Sequence, residues 1–302
     1  MSDLVDILRA RRSGPGGPGA RPDGHRVALA IEGGGNRAAY SAGMALALDE
    51  LGLTGCFDAV YGTSGGALNA AWLLTGEAQK WLPSWGAPEV ASAGVTNPRR
   101  LLRGGPLVDL SVLIEHVYEQ ITPMDFEAIL ANPVSFHPMA TDAATGEAVD
   151  IHPCIVDRAT LQTALKASSC LPMIAGRPVR LGGRAFVDGG LSEAIPYLTA
   201  LRQGATHVLV LRTRREDQTV TTSRAERVLL APYFAAFARG AGRSHGRRHL
   251  TYAAADAAQV GGEVLQVRPP LGSADVARLG GSLDLVTEAI EVGRRAVHAL
   301  FG

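Results

Sequence analysis

Short, wholly apolar runs alternate with longer helix-like stretches along most of the chain. The run VALAI, which follows Arg26, suits a strand buried on both faces. A turn of consecutive glycines, Gly33, Gly34 and Gly35, leads into a helical pattern over 38–51. A second short strand over 59–61 meets Gly62-Thr63-Ser64-Gly65-Gly66, and a helical run over 67–74 follows. Two consecutive strand–turn–helix units predict parallel strands joined by right-handed crossovers.

Farther along, the pattern loosens. Residues 83–105 hold several Pro and Gly and predict a loop-rich cover, and 111–120 predicts a helix. Strands are expected over 134–141 and 147–151, around the turn Ala144-Thr145-Gly146. A helix over 161–167 should end before Pro172, and PVRLGGRAFVD reads as a hairpin about Gly182-Gly183. The run HVLVL over 207–211 predicts another buried strand. Helices are expected over 225–239, 250–258 and 283–300, with a strand over 264–267. The stretch RRSGPGGPGARPDGH at 11–25 has almost nothing to bury, so 1–25 is expected to be a flexible leader to one α/β domain over 26–302.

Composition narrows the function more than the fold. The 302 residues are 46% apolar and 19% charged, the profile of a packed globular protein. Lys plus Arg equals Asp plus Glu at 29 each, with no basic patch interleaved with aromatics, so nucleic acid is not an expected partner. Cys56, Cys154 and Cys170 are odd in number and widely spaced, which reads as buried reduced thiols. The charged start from Asp3 through Arg12 is unlike a signal peptide, and no apolar run reaches the roughly 18–20 residues needed to span a bilayer. A cytoplasmic protein is expected. No cluster of metal-ligating residues is visible, and no cofactor is expected.

The segment Gly62-Thr63-Ser64-Gly65-Gly66 matches G-x-S-x-G. A serine at a sharp strand-to-helix turn is held in a strained conformation with its hydroxyl pushed outward. Small residues on either side, here Gly62 and Gly66, let strand and helix approach closely. The following helix adds its N-terminal field, and the amide of Gly65 can donate to a developing oxyanion. The pentapeptide alone is a weak signal, equally consistent with a glycine turn capping a helix. Its place between a predicted strand and a predicted helix is what favours the elbow.

Glu32-Gly33-Gly34-Gly35-Asn36-Arg37-Ala38 closes the first strand and opens the next helix. Consecutive glycines let backbone amides converge on an anion, either a nucleotide phosphate or an ester oxyanion. A dinucleotide site would need an acidic residue at the end of the second strand, and a Walker loop would need G-K-[ST]; neither is present. An oxyanion hole beside Ser64 accounts for both glycine clusters at once. The serine also needs a proton acceptor. Phe186-Val187-Asp188-Gly189-Gly190 sets an acid at the end of an apolar strand, where it could serve as the base or cap a helix near Ser192. A Ser-His-Asp triad would draw on His207, His245, His249 or His298. His207 opens a buried strand. His245 and His249 stand four apart, a metal-ligand spacing without a third ligand, and read as a solvated basic helix end.

Together these segments resemble the patatin-like phospholipase family. EGGGNRA at 32–38 is similar to its D/E-G-G-G-x-R-G box, and GTSGG at 62–66 to its nucleophile elbow. Ala167-Ser168-Ser169-Cys170-Leu171-Pro172 is similar to its A-S-x-A-x-P segment, and Asp188-Gly189-Gly190 to its D-G-G/A box. The four matches run in order over 27–195. The resemblance implies a single three-layer α/β/α domain with a mostly parallel central sheet. It also implies a catalytic dyad of Ser64 and Asp188 without histidine, and an oxyanion hole from the amides of Gly33, Gly34 and Gly35. Arg37 would order that loop or meet an anionic head group.

The implied activity is hydrolysis of lipid acyl esters, of phospholipids or lysophospholipids, through an acyl-enzyme that water resolves. An acyltransferase or thioesterase on the same dyad, or a lipid- or nucleotide-binding module without catalysis, are the alternatives. Two positions depart from the family pattern: Ala38 stands for Gly and Cys170 for Ala, both small exchanges. LLAPYFAAF at 229–237 is expected to be a core helix, or else to cover an acyl chain or touch a membrane surface.

Overall fold

The computed structural model describes residues 3–257 and 263–301; Ala258, the last residue of one expected helix, lies outside them. The chain opens with helix α1 (Asp3–Ser13), strand β1 (Val27–Ile31) and helix α2 (Ala38–Glu50), then β2 (Ala59–Thr63) and α3 (Gly65–Leu74). Two short helices, α4 (Ala78–Trp81) and α5 (Pro88–Ser92), and two 3₁₀ turns make up most of the expected loop-rich cover. The helix expected over 111–120 is a π-helical segment, Val112–Ile121. Helix α6 (Phe126–Ala131), too short to show a period, precedes β3 (Ser135–Asp142), β4 (Ala148–Asp150) and α7 (Arg158–Ser169). The hairpin β5 (Val179–Leu181) and β6 (Arg184–Asp188) follows, with α8 (Tyr197–Arg202) and β7 (His207–Leu211). Then come α9 (Arg224–Phe237), α10 (Arg239–Ala257), β8 (Val264–Val267) and α11 (Leu283–Phe301).

The sheet runs β5-β6-β3-β2-β1-β7-β8, with β4 paired to β3. The five strands from β3 to β8 along that path are parallel, and β4, β5 and β6 add antiparallel pairings at one side. Alternate residues of β1 serve different layers, as the pleat requires. Val27, Leu29 and Ile31 pack with α2, α3 and α11, whereas Ala28 and Ala30 pack with α8 and α10. The α/β/α layering expected for the chain is therefore present. Helix α2 is buried along almost its whole length and meets α11 backbone to backbone at Gly43 and Gly293, where a Cβ would collide with Ile290 O and Tyr40 O.

The expected flexible leader is a correction. Leu4, Val5, Leu8 and Arg11 share one face of α1 and are buried. The Arg11 guanidinium bonds Asp23 at 2.6 Å, Asp58 at 2.9 Å and the carbonyls of Cys56 and His25. Gly19 N donates to Asp58 Oδ1 at 2.7 Å, so the Gly/Pro stretch is tied down as well. A single buried charge with four acceptors anchors a segment whose composition has little to bury.

Candidate active site

Strand β3 acts as the ruler for the site. Its Met139 pairs with Thr63 at the end of β2, and the next residue, Ala140, pairs with Asp188 at the end of β6. That register brings the residue after Thr63 beside Asp188. Ser64 Oγ donates to Asp188 Oδ2 at 2.7 Å. Ser64 has φ 54° and ψ −126°, a conformation an L residue adopts at a cost on the order of 1–3 kcal/mol. Its amide donates to Ser168 Oγ at 2.9 Å, and that hydroxyl donates onward to Met139 O at 2.7 Å. The elbow is thus pinned to the ruler strand by a serine in the segment 167–172.

The flanking glycines are there for space. A Cβ on Gly62 would lie 2.5 Å from Ala67 Cα, and one on Gly66 would strike Ile31 O. A Cβ on Gly65 would fall 2.7 Å from Ala38 Cβ, so Ala38 is tolerated because Gly65 faces it.

Asp188 is held from every side. Its amide donates to Cys170 O at 2.8 Å, its carbonyl accepts from Thr141 Oγ1 at 2.9 Å, and Oδ1 accepts from Gly190 N at 2.8 Å. The capping role weighed from the sequence and the contact with Ser64 therefore coexist, one on each carboxylate oxygen. Burial raises its pKa above the ordinary carboxylate value, while Arg278, the Ser64 hydroxyl, the Gly190 amide and Arg248 pull the other way.

The expected four-amide nest differs at Gly33, whose N–H donates to Ala194 O at 3.0 Å. Among the described residues, the amides of Gly34, Gly35 and Gly65 have no acceptor and remain available. Gly35 sits at φ 58°, and a Cβ there would strike Arg278 O. Arg37 flanks the same loop. Burial first, then Arg214 and Arg278, hold its pKa down to about 10, and its Nε is buried without a partner.

The histidines weighed for a triad stand elsewhere. His298 bonds Glu50 at 2.8 Å, His207 bonds Thr206 at 2.9 Å, and neither Ser64 nor Asp188 is hydrogen-bonded to His249. His245 is buried, bonds Glu226 at 3.0 Å and packs on Phe234, which corrects the solvated helix end expected there. Among the described residues, no group of three His, Cys, Asp or Glu could hold a metal ion. No described helix is long and apolar enough to cross a membrane.

Ser64 opens on two spaces. On one side lies a cavity of about 400 Å³, walled by Leu68, Trp72, Trp85, Val108, Leu110 and Leu113 among others. On the other is a small cleft of about 40 Å³ lined by Asp188, Gly33, Gly34, Arg37, Arg214, Arg248 and Arg278. Three of those arginines lie beyond the last sequence motif: Arg248 falls in the stretch expected to be a solvated basic helix end, and Arg214 and Arg278, so dispersed, show neither period nor spacing. Ser168 was within a quoted segment, and only its hydrogen bonds reveal its part.

Behind the cleft, Glu32 is fully buried. It accepts from Arg212 Nε at 2.8 Å, Thr213 N at 2.8 Å and Tyr252 OH at 2.6 Å, which ties the glycine loop to α10.

Comparisons with known proteins agree with the motifs. A family model described as patatin-like phospholipase matches residues 29–201. The uncharacterized protein YjjU of Escherichia coli (strain K12) is 32% identical over 194 residues, 62% of this chain and 52% of that protein. The chain therefore spans about half the length of the curated relative it matches. Among solved structures, VipD from Legionella pneumophila is similar at 12% identity and a TM-score of 0.46, over 100% of this chain and 73% of that one.

Proposed function

The chain belongs to the patatin-like phospholipase family, whose model it matches over more than half its length, and on that premise we propose that it hydrolyses carboxylic esters of lipids through Ser64 and Asp188. The observation that carries this reading is the 2.7 Å contact from Ser64 Oγ to a buried carboxylate, at the mouth of an apolar cavity.

Asp188 takes the Ser64 proton as Oγ attacks the acyl carbonyl. The resulting oxyanion faces the amides of Gly34, Gly35 and Gly65 at the N-terminus of α3, donors that are fixed before the charge appears. Collapse breaks the ester bond, and the leaving alcohol takes the proton from Asp188. Water then adds to the acyl-enzyme by the same route and regenerates the dyad. Burial of Asp188 supports the assignment, because a raised pKa makes its carboxylate a stronger base than an exposed one.

The apolar cavity suits an acyl chain. The exposed Val228 and Leu229 of α9, a helix that buries Leu230, Tyr233 and Phe234, offer a surface to a lipid aggregate. A fluorophosphonate probe tests the reading. It should label Ser64 in the intact chain and not in Ser64→Ala, and p-nitrophenyl ester turnover should disappear with the label. Full turnover by Ser64→Ala would defeat the assignment.

A further inference from the structure

The cationic cleft is unlike anything the hydrolytic step requires. Among the described residues that line it, four guanidinium groups (Arg37, Arg214, Arg248 and Arg278) face two carboxylates, Glu32 and Asp188. Glu32 is already committed to Arg212 at 2.8 Å, and Asp188 to Ser64 and Gly190. Arg214 reaches Glu32 only at 3.9 Å and Arg248 reaches Glu226 only at 3.9 Å, with side chains 18% and 13% exposed. No ion pair is formed by Arg37 or Arg278 among the described residues, and the Nε atoms of Arg37 and Arg248 are buried without a partner.

Holding like charges together in a half-buried cleft is costly unless an anion completes it. The cleft is also small. A cavity needs roughly 10–15 Å³ to hold one water, so 40 Å³ admits about three water-sized groups, the scale of a phosphoryl head.

We propose that this cleft binds the terminal phosphate of an anionic acyl glycerophosphate, with Arg214, Arg248 and Arg278 as its specificity determinants and the acyl chain in the opposite cavity. The inference rests on the dyad reading above. Guanidinium groups match phosphate oxygens in charge-assisted, often bidentate hydrogen bonds. A phosphomonoester brings close to two negative charges. A choline or ethanolamine head brings one, together with an ammonium that the same wall repels. The preferred substrate is therefore a lipid whose phosphate is uncapped.

The test compares three oleoyl esters on one enzyme: lysophosphatidate, monoacylglycerol and lysophosphatidylcholine. Their kcat/KM should fall in that order, with at least tenfold between the first and the last. Arg248 and Arg278 also act on Asp188, so absolute rates of their variants are uninformative. The ratio of two substrates on the same variant cancels that common effect. In an Arg248→Gln/Arg278→Gln double variant the lysophosphatidate-to-lysophosphatidylcholine ratio should drop at least tenfold, and Arg248→Lys should keep most of it. A wild-type ratio of one or less, or an unchanged ratio in the double variant, overturns the proposal.

Should the double variant not fold, inhibition of the wild type decides. Glycerol 3-phosphate must compete with a neutral p-nitrophenyl ester, and failure to compete overturns the site. Competition by inorganic phosphate without any lysophosphatidate preference would make it a free-anion site and overturn the head-group assignment. Binding to Ser64→Ala, read by the fluorescence of Trp72 and Trp85 in the cavity wall, separates the two readings. A tenfold preference for lysophosphatidate there sustains the cleft even if the intact chain proves not to hydrolyse it, and equal binding of both lipids overturns it.

Discussion

The two sides of Ser64 differ in chemistry and in origin. The apolar cavity is walled mostly by the helical cover that follows the elbow, together with α3. The cationic cleft takes three of its four arginines from the last hundred residues. Between them the reacting atoms are held by strand register and short hydrogen bonds, with nothing left to a mobile side chain. A reaction centre needs fixed geometry, which local motifs encode compactly. Substrate-reading walls need only the right surface at the right distance, and dispersed residues can supply it.

The sharpest way to break the contrast is to remove what both sides share. Ser64→Ala and Asp188→Asn should each lower kcat on a neutral ester by about 10³ or more, and the double variant should be little worse, since the two act as one unit. Losses that multiply in steady-state kinetics would separate them.

Next in size is the apolar side. Leu113→Trp fills part of the cavity and should cut kcat/KM on a long-chain ester by about tenfold or more relative to an acetyl ester. A chain-length series of p-nitrophenyl esters measures it. A uniform fall at all lengths would place the acyl chain elsewhere.

The pH profile distinguishes the walls further. Asp188 acts as a base only when ionised, and burial raises its pKa, so kcat/KM should fall about tenfold per unit below a limb lying above the ordinary carboxylate value. Arg278→Gln removes a group that lowers that pKa and should move the limb upward, whereas Leu113→Trp should leave it in place. The sign for stability is the reverse of that for activity. A carboxyl whose folded pKa is raised contributes stability below its unfolded pKa and loses it as pH rises through the folded value. Asp188→Asn should therefore raise Tm at neutral pH, by about 2 °C, while abolishing turnover. An unchanged or lower Tm by calorimetry would count against a carboxylate held at the expense of the fold.

Smallest is Ala38→Gly, which supplies the residue usual in the family. It should cost about 0.5–1 kcal/mol of stability and leave kcat within about threefold, because Gly65 already provides the clearance.

The strands and the elbow were legible because their signals are local: VALAI, HVLVL and the Gly182-Gly183 turn each declare themselves within a few residues. Helices α6 and α8 were not, being too short to show a period. Arg11 stands in a charged stretch with little to bury, and composition cannot show that Asp23 and Asp58 pair with it. The amide of Gly33 was expected in the oxyanion nest, and only its bond to Ala194 O withdraws it. The cationic wall was invisible for the same reason as Arg11: long-range neighbours leave no trace in spacing.

The pairing of Thr63 with Met139 and of Asp188 with Ala140 has a consequence for how this chain can change over generations. Exposed turns remote from the site tolerate changes in length. A single codon inserted between Met139 and Ala140 would turn the acid to the opposite face of the sheet, a loss no compensating side chain could repair. Drift in length is open to the rim of this molecule and closed to its central strand.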